Sequence, residues 1–143
     1  HQGCILQLDL QTGEEVGRIP TPDGKGIHGI EWDFDRNMLW VTATNPKNII
    51  LVDALGDKSI VHTISCDLER LHGLALEGDA IWCAHTTDNV IILYDIETGT
   101  ERDRTVAQRR DHVRAAVRAA YAFLLFRVTT DRFFILLFSG RMN

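Results

Sequence analysis

Two His-Gly pairs carry the side chains best suited to chemistry in this chain: His28-Gly29 and His72-Gly73, 44 residues apart. An imidazole titrates near neutral pH, so it can serve as a general base, and its neutral form is a common metal ligand. Arg70 stands two residues before His72; its planar guanidinium suits an anionic group. His85 interrupts an apolar run at the position where the other copy has Ala43, so it is not a repeated feature. Glu31 and Glu77 match between the copies only after a small shift, and read as solvated or salt-bridged carboxylates, with an axial metal-binding role as the alternative. Three cysteines, Cys4, Cys66 and Cys83, form no CxxC pair, so they suggest neither a zinc site nor a disulfide framework. Cys83 reads as a small buried hydrophobe. No GxGxxG, Walker loop, HExxH or GxSxG occurs.

The histidines recur because the sequence around them recurs. Trp40 and Trp82 are 42 residues apart, and Asp9, Asp53 and Asp95 close the apolar runs ILQLD, IILVD and IILYD at spacings of 44 and 42. The turn DLQTGE at 9–14 returns as DIETGT at 95–100, and DALGDK replaces it in the middle copy. A period of about 40–45 residues filled with short β-type runs is what a four-stranded propeller blade requires. Within one period, HGIEWD alternates His28, Ile30 and Trp32 with Gly29, Glu31 and Asp33, as a strand with two unlike faces does. MLWVTAT is rich in β-branched and aromatic residues. IILVD is a nearly continuous apolar run, so it predicts a strand covered on both faces, and SIVHTI is the outer strand. The second period repeats the order, ending in ERDRTV. Helices are excluded here, because the runs are short and separated by turn residues. The prediction is an all-β fold of antiparallel four-stranded blades, an incomplete β-propeller of about two and a half blades: a partial blade over 1–20, a blade over 28–64 and a blade over 72–106.

Charge divides the chain. Residues 1–101 hold 6 Lys/Arg against 17 Asp/Glu, a net −11, whereas residues 102–143 hold 9 Arg against 3 Asp, a net +6. The acidic body, 1–101, argues against a nucleic-acid groove there. The basic tail, 102–143, lacks the repeat's landmarks. Val113, Val117, Tyr121 and Leu124 fall at helical spacing with Arg110, Arg114 and Arg118 on another stripe, which predicts a helix over about 106–126, followed by a strand over 132–138. Arg127, Asp131 and Arg132 break the apolar runs, so no membrane span is expected. Three readings of the tail stand: a basic amphipathic helix that meets a partner or an anionic surface, a packed extension, and a reading-frame slip in GC-rich coding DNA. The third is preferred, because the repeat stops just after its turn, where another blade is due.

Closed propellers have four to eight blades, so a chain that opens at His1 inside a repeat and holds about two and a half blades is expected to be a fragment. An open end that leaves on the order of 400 Å² of apolar surface wet forgoes roughly 10 kcal/mol, so the chain alone is expected to be marginal, with its blade edges ready to associate with another chain.

Residues 5–101 resemble the propeller superfamily of NHL, YVTN-type and gluconolactonase-like repeats, and the pattern is most similar to virginiamycin B lyase-like propellers. The residues that carry this are His28-Gly29, Leu39-Trp40, Asp53, His72-Gly73, Ile81-Trp82 and Asp95-Ile96-Glu97-Thr98-Gly99. The Trp-Asp signature of WD repeats does not fit, since neither Trp40 nor Trp82 precedes an Asp. The resemblance implies that the first strand of each blade lines a central channel, so that equivalent histidines ring one mouth. Architecture wants the same contact in every blade, whereas catalysis needs one asymmetric constellation. Repetition therefore favours a histidine that fixes the joint between blades. The ligand-binding candidates are His28, His72, Arg70 and His85, and no catalytic or metal-ligating residue is assigned. Two functions follow: a binding scaffold that offers its channel mouth to a protein or small molecule, and, as the alternative, a lyase or lactonase with a divalent metal in the complete propeller. The first is preferred, with no activity expected of this chain alone.

Overall fold

A computed structural model describes residues 4–20, 26–106, 126–129 and 132–136, in twelve strands. They are β1 (Cys4–Asp9), β2 (Glu15–Pro20), β3 (Ile27–Asp33), β4 (Met38–Ala43), β5 (Asn48–Val52), β6 (Ile60–Ser65), β7 (Leu71–Glu77), β8 (Ala80–His85), β9 (Val90–Asp95), β10 (Glu101–Val106), β11 (Phe126–Thr129) and β12 (Arg132–Leu136). They form three four-stranded sheets, ordered β3-β4-β5-β6, β7-β8-β9-β10 and β11-β12-β1-β2, with every pairing antiparallel. The first two are the blades the repeat predicts. In chain order, β1 and β2 belong to the N-terminal blade, β3–β6 form the middle blade and β7–β10 the third. In the N-terminal blade two strands from the basic tail pair with the hairpin, β12 running against β1 from Ile5↔Leu136 to Asp9↔Arg132. The helix predicted over about 106–126 lies outside the described residues.

The turns follow the local chemistry. Asp9 Oδ1 accepts from the amides of Gln11 and Thr12, Asp53 Oδ1 from Gly56 and Asp95 Oδ1 from Thr98. An Asp side chain thus replaces a backbone acceptor as the chain reverses. The same turn needs a left-handed residue, supplied by Gly13 (φ 72°) and Gly99 (φ 71°) and, in the altered middle copy, by Lys58 (φ 67°). The Asp95 carboxyl is held down to about 2, first by the Thr98 amide and then by Arg102, which also bonds Asp79.

The core lies between blades. Ile30, Trp32, Leu39, Val41, Ile50 and Val52 of the middle blade pack with Ile5 and Ile19 of the N-terminal one. Trp40, Ile49, Leu51 and Ile64 pack on Leu71, Leu74, Ile81, Cys83, Ile92 and Tyr94 of the third blade. Successive residues of β4 and β5 therefore enter opposite interfaces, which is why Ile49, Ile50, Leu51 and Val52 are all apolar. In β9 burial alternates instead, because one face meets the middle blade and no described blade covers the other. All six residues of β10 are exposed. Cys66 and Cys83 are buried and unpaired, and burial pushes the Cys66 thiol up to about 11.

The pairing of β12 with β1 has a testable consequence. Ending the chain at Val106 removes β11 and β12 and leaves the edge of β1 without a partner. An unpaired edge recruits other chains, so the shortened chain is expected to self-associate in sedimentation velocity runs where the 143-residue chain sediments more slowly. Identical sedimentation of the two would show that the β1 edge does not depend on the tail.

Candidate ligand-binding site

The two His-Gly pairs are bulges. Pairing of β3 with β4 shifts register between Ile27 and Ile30, and pairing of β7 with β8 shifts between Leu71 and Leu74. A bulge re-aims the side chain it carries. Simple alternation places His28 on the face of Ile30 and Trp32. The structure instead turns it toward the third blade, where its ring stacks on that of His72 with centroids 4.5 Å apart and planes 23° from parallel.

The backbones under the stack are nearly in contact. A Cβ on Gly29 would lie 2.0 Å from the His72 carbonyl oxygen and 3.2 Å from Gly73 Cα, so only glycine fits. Buried Thr42 accepts from the Gly29 amide at 2.8 Å, and its hydroxyl lies 3.2 Å from the His72 carbonyl it can donate to. Thr44 donates to the Leu71 carbonyl at 2.8 Å. Sequence reasoning passed over both threonines, which sit inside a run that reads simply as strand.

Both rings are half-buried. Burial, then the Arg70 charge, pushes His28 below the usual imidazole value; burial, then His28 and Arg70, does the same to His72. The stack is therefore uncharged at neutral pH. The unfolded chain takes up protons near pH 6.5, whereas the folded rings take them up only at lower pH. Stability conferred by the stack is thus fully present above about pH 6.5 and is lost as pH falls below that value. Buried His85 is also pushed down and adds to the same trend. Glu31, held up to about 7 by burial, works in the opposite direction over the same range. The histidine contribution is therefore read as a difference: the urea midpoint of the parent relative to that of His72→Gln is expected to fall between pH 7.5 and 5.5. An equal change in that variant would place the linkage elsewhere.

Arg70 adjoins the pair and is exposed. Its backbone is left-handed, φ 48°, at the position where the preceding blade has Gly26, φ 77°. Both residues do the same work for the fold: the Gly26 carbonyl accepts from the Thr44 amide and the Arg70 carbonyl from the Thr86 amide. A non-glycine residue there costs about 1 kcal/mol, so Arg70 is strained at a place where glycine serves. The equivalence was legible in the sequence, since 26 and 70 differ by the 44-residue period. Arg18, Arg36, Arg102 and Arg104 each pair with a carboxylate. Arg70 has no carboxylate partner among the described residues.

The fourth candidate, His85, does not join this group. It is fully buried on the face of β8 that meets the middle blade, and its Nε2 lies 3.0 Å from the Tyr94 hydroxyl. It is buried at the joint between the middle and third blades. Glu31, at the far end of β3 from His28, is half-buried against the third blade. Burial pushes it up to about 7, offset in part by the Leu76 amide, and it borders a cavity of about 220 Å³ with Asp33, Phe34 and Leu76. Glu77 accepts from the Trp82 indole at 2.7 Å. Among the described residues no three His, Cys, Asp or Glu side chains gather as a metal site. The stack itself offers two imidazoles beside the positive charge of Arg70, a poor environment for a divalent cation.

Searches against protein families and against curated proteins find no match. Several solved structures are similar in fold. Sqt1 of Saccharomyces cerevisiae superposes with TM-score 0.59 at 14% identity, over 75% of this chain and 30% of that one. The Pan2 WD40 domain of Neurospora crassa gives 0.57 at 10% identity, over 73% and 31%. The Cps50 (Swd1) β-propeller domain of Myceliophteria thermophila gives 0.54 at 20% identity, over 73% and 32%. At these identities the likeness establishes the fold, blades of a β-propeller. The chain spans about a third of the length of each of these structures.

Proposed function

We propose that these blades belong to a propeller that serves as a binding scaffold, and that a protein partner engages it at the end of the inner strands where His28, His72 and Arg70 gather. The observation that carries this reading is the placement of Arg70: an exposed, strained arginine without a carboxylate partner among the described residues, beside two stacked histidines. The WD40 domains among the structural neighbours support a scaffold role by analogy of fold alone. Kinship with NHL, YVTN-type and virginiamycin B lyase-like propellers is part of the same proposal, supported by the recurring HG, LW, D and TG landmarks and by tryptophans not followed by Asp. No helix among the described residues is long and apolar enough to cross a membrane.

A differential capture tests the reading. The immobilised chain is compared with Arg70→Glu and with Phe34→Ser, which alters an exposed side chain at the opposite end of β3. A partner retained by the parent chain and by Phe34→Ser, and lost by Arg70→Glu, is the expected result. The same proteins on all three would sink the assignment. Turnover of a lactone or cyclic peptide that requires an added divalent metal and His28 would replace it with the lyase or lactonase reading, in which a small molecule takes the partner's place.

A further inference from the structure

We propose that Arg70, His28 and His72 form an anion-binding site at the junction of the middle and third blades, and that its occupant is a single carboxylate on an acidic residue of a protein partner. This rests on the scaffold reading and names the chemistry of its partner.

The fold asks nothing of the Arg70 side chain. In the preceding blade Gly26 makes the corresponding backbone hydrogen bond in the same left-handed conformation. Lys58 likewise stands left-handed where the other copies have Gly13 and Gly99, so the backbone by itself assigns Arg70 no role; the availability of its charge does. The body leaves that charge unused. Residues 1–101 carry a net −11, yet Arg70 has no carboxylate partner among the described residues, while Lys47 takes the neighbouring Glu69. The guanidinium fork therefore remains available for a carboxylate, which it can bind through two parallel hydrogen bonds. The half-buried imidazole rings beside it exclude part of the water, which strengthens the charge interaction.

The number of charges selects among anions. Arg70 supplies one permanent positive charge, and burial keeps the two imidazoles uncharged near neutral pH. A carboxylate brings one negative charge and is matched. A phosphate monoester brings close to two and faces the surplus negative charge of the body with only one cation to meet it.

The test follows the ring protons of His28 and His72 by NMR in the full chain at constant ionic strength. The probes are the peptide acetyl-Gly-Glu-Gly-amide, its Gln counterpart and inorganic phosphate. A saturable shift of both rings is expected with the Glu peptide, with binding of the Gln peptide at least about tenfold weaker. Arg70→Gly removes the guanidinium and installs the residue that the preceding blade uses. Its unfolding midpoint is expected to equal or exceed that of the parent, while the Glu peptide binds at least about tenfold more weakly. Unchanged affinity in this variant overturns the proposal. So does failure of the variant to fold, because the equivalence with Gly26 would then be wrong. Tighter binding of phosphate than of the Glu peptide overturns the carboxylate assignment. If the Glu peptide shifts neither ring while capture of a partner still requires Arg70, the carboxylate falls and the scaffold stands. If the peptide binds through Arg70 while captured proteins ignore it, the anion site stands and the scaffold falls.

Discussion

Gly29→Ala is expected to destabilise the chain by about 3 kcal/mol or more, a large share of a domain's typical 5–15 kcal/mol. The new methyl carbon would sit 2.0 Å from the His72 carbonyl oxygen, with Gly73 Cα at 3.2 Å. Both atoms belong to backbone, so no side chain can rotate away and the blades themselves must separate. Separation stretches the bridge from Thr42 to the His72 carbonyl and loosens the apolar contacts of Trp40 behind it. Gly78→Ala is the matched control. Gly78 has φ +61°, and a methyl group added there would meet nothing within 4 Å, so alanine costs only the left-handed strain, about 1 kcal/mol. Urea denaturation of the two variants reads the difference. A loss at Gly29 no greater than that at Gly78 would mean that the blades are not in close contact at the bulge. The variant has a second readout: a widened joint admits water, so the His28 and His72 titrations should return toward the ordinary imidazole value.

The blades were legible because the repeat states them twice. The 44- and 42-residue spacings and the turn-forming aspartates are local features, and local chemistry decides them. IILVD was legible for a global reason, since a nearly continuous apolar run must be covered on both faces. What escaped the sequence depends on who lies next to whom. Alternation gives the face of a side chain only while the register is regular, and the bulge at His28-Gly29 breaks it. That is why His28 was expected beside Ile30 and Trp32 and instead stacks on His72. His85 stood out because it stood alone in an apolar run; the structure buries it and sets the Tyr94 hydroxyl beside its Nε2 from the adjacent strand, a neighbour that alternation alone does not give. Arg70 stands out in the sequence for its charge. Its strain emerges only from the left-handed backbone it shares with Gly26.

Trp40 and Trp82 are equivalent in the repeat, and the structure gives them unequal weights. Trp40 is fully buried between the middle and third blades, in one apolar cluster with Ile49, Leu71 and Ile81, and stands edge-on to His62 at 6.1 Å. Its indole N–H donates to Asp33 at 3.1 Å. Trp40→Ala removes the contents of a closed site that the two sheets cannot collapse to fill, so about 3–5 kcal/mol is expected to be lost. Trp82 stands on the face of the third blade that no described blade covers, half-buried, with its indole bonded to exposed Glu77. Trp82→Ala leaves no closed cavity, and about 1–2 kcal/mol is the expected loss. Trp40→Phe separates the terms at the buried site: it keeps most of the apolar volume and deletes the bond to nearly buried Asp33, for which about 1–3 kcal/mol is expected. Denaturation midpoints of the three variants under one set of conditions decide the matter. A loss at Trp40→Ala well above the losses at Trp40→Phe and Trp82→Ala follows from a tryptophan whose worth is set by the neighbouring blade. Equal losses at 40 and 82 would mean that the third blade's outer face is covered as fully as its inner one, by another chain or a second copy, and the two propeller joints would then be energetically alike.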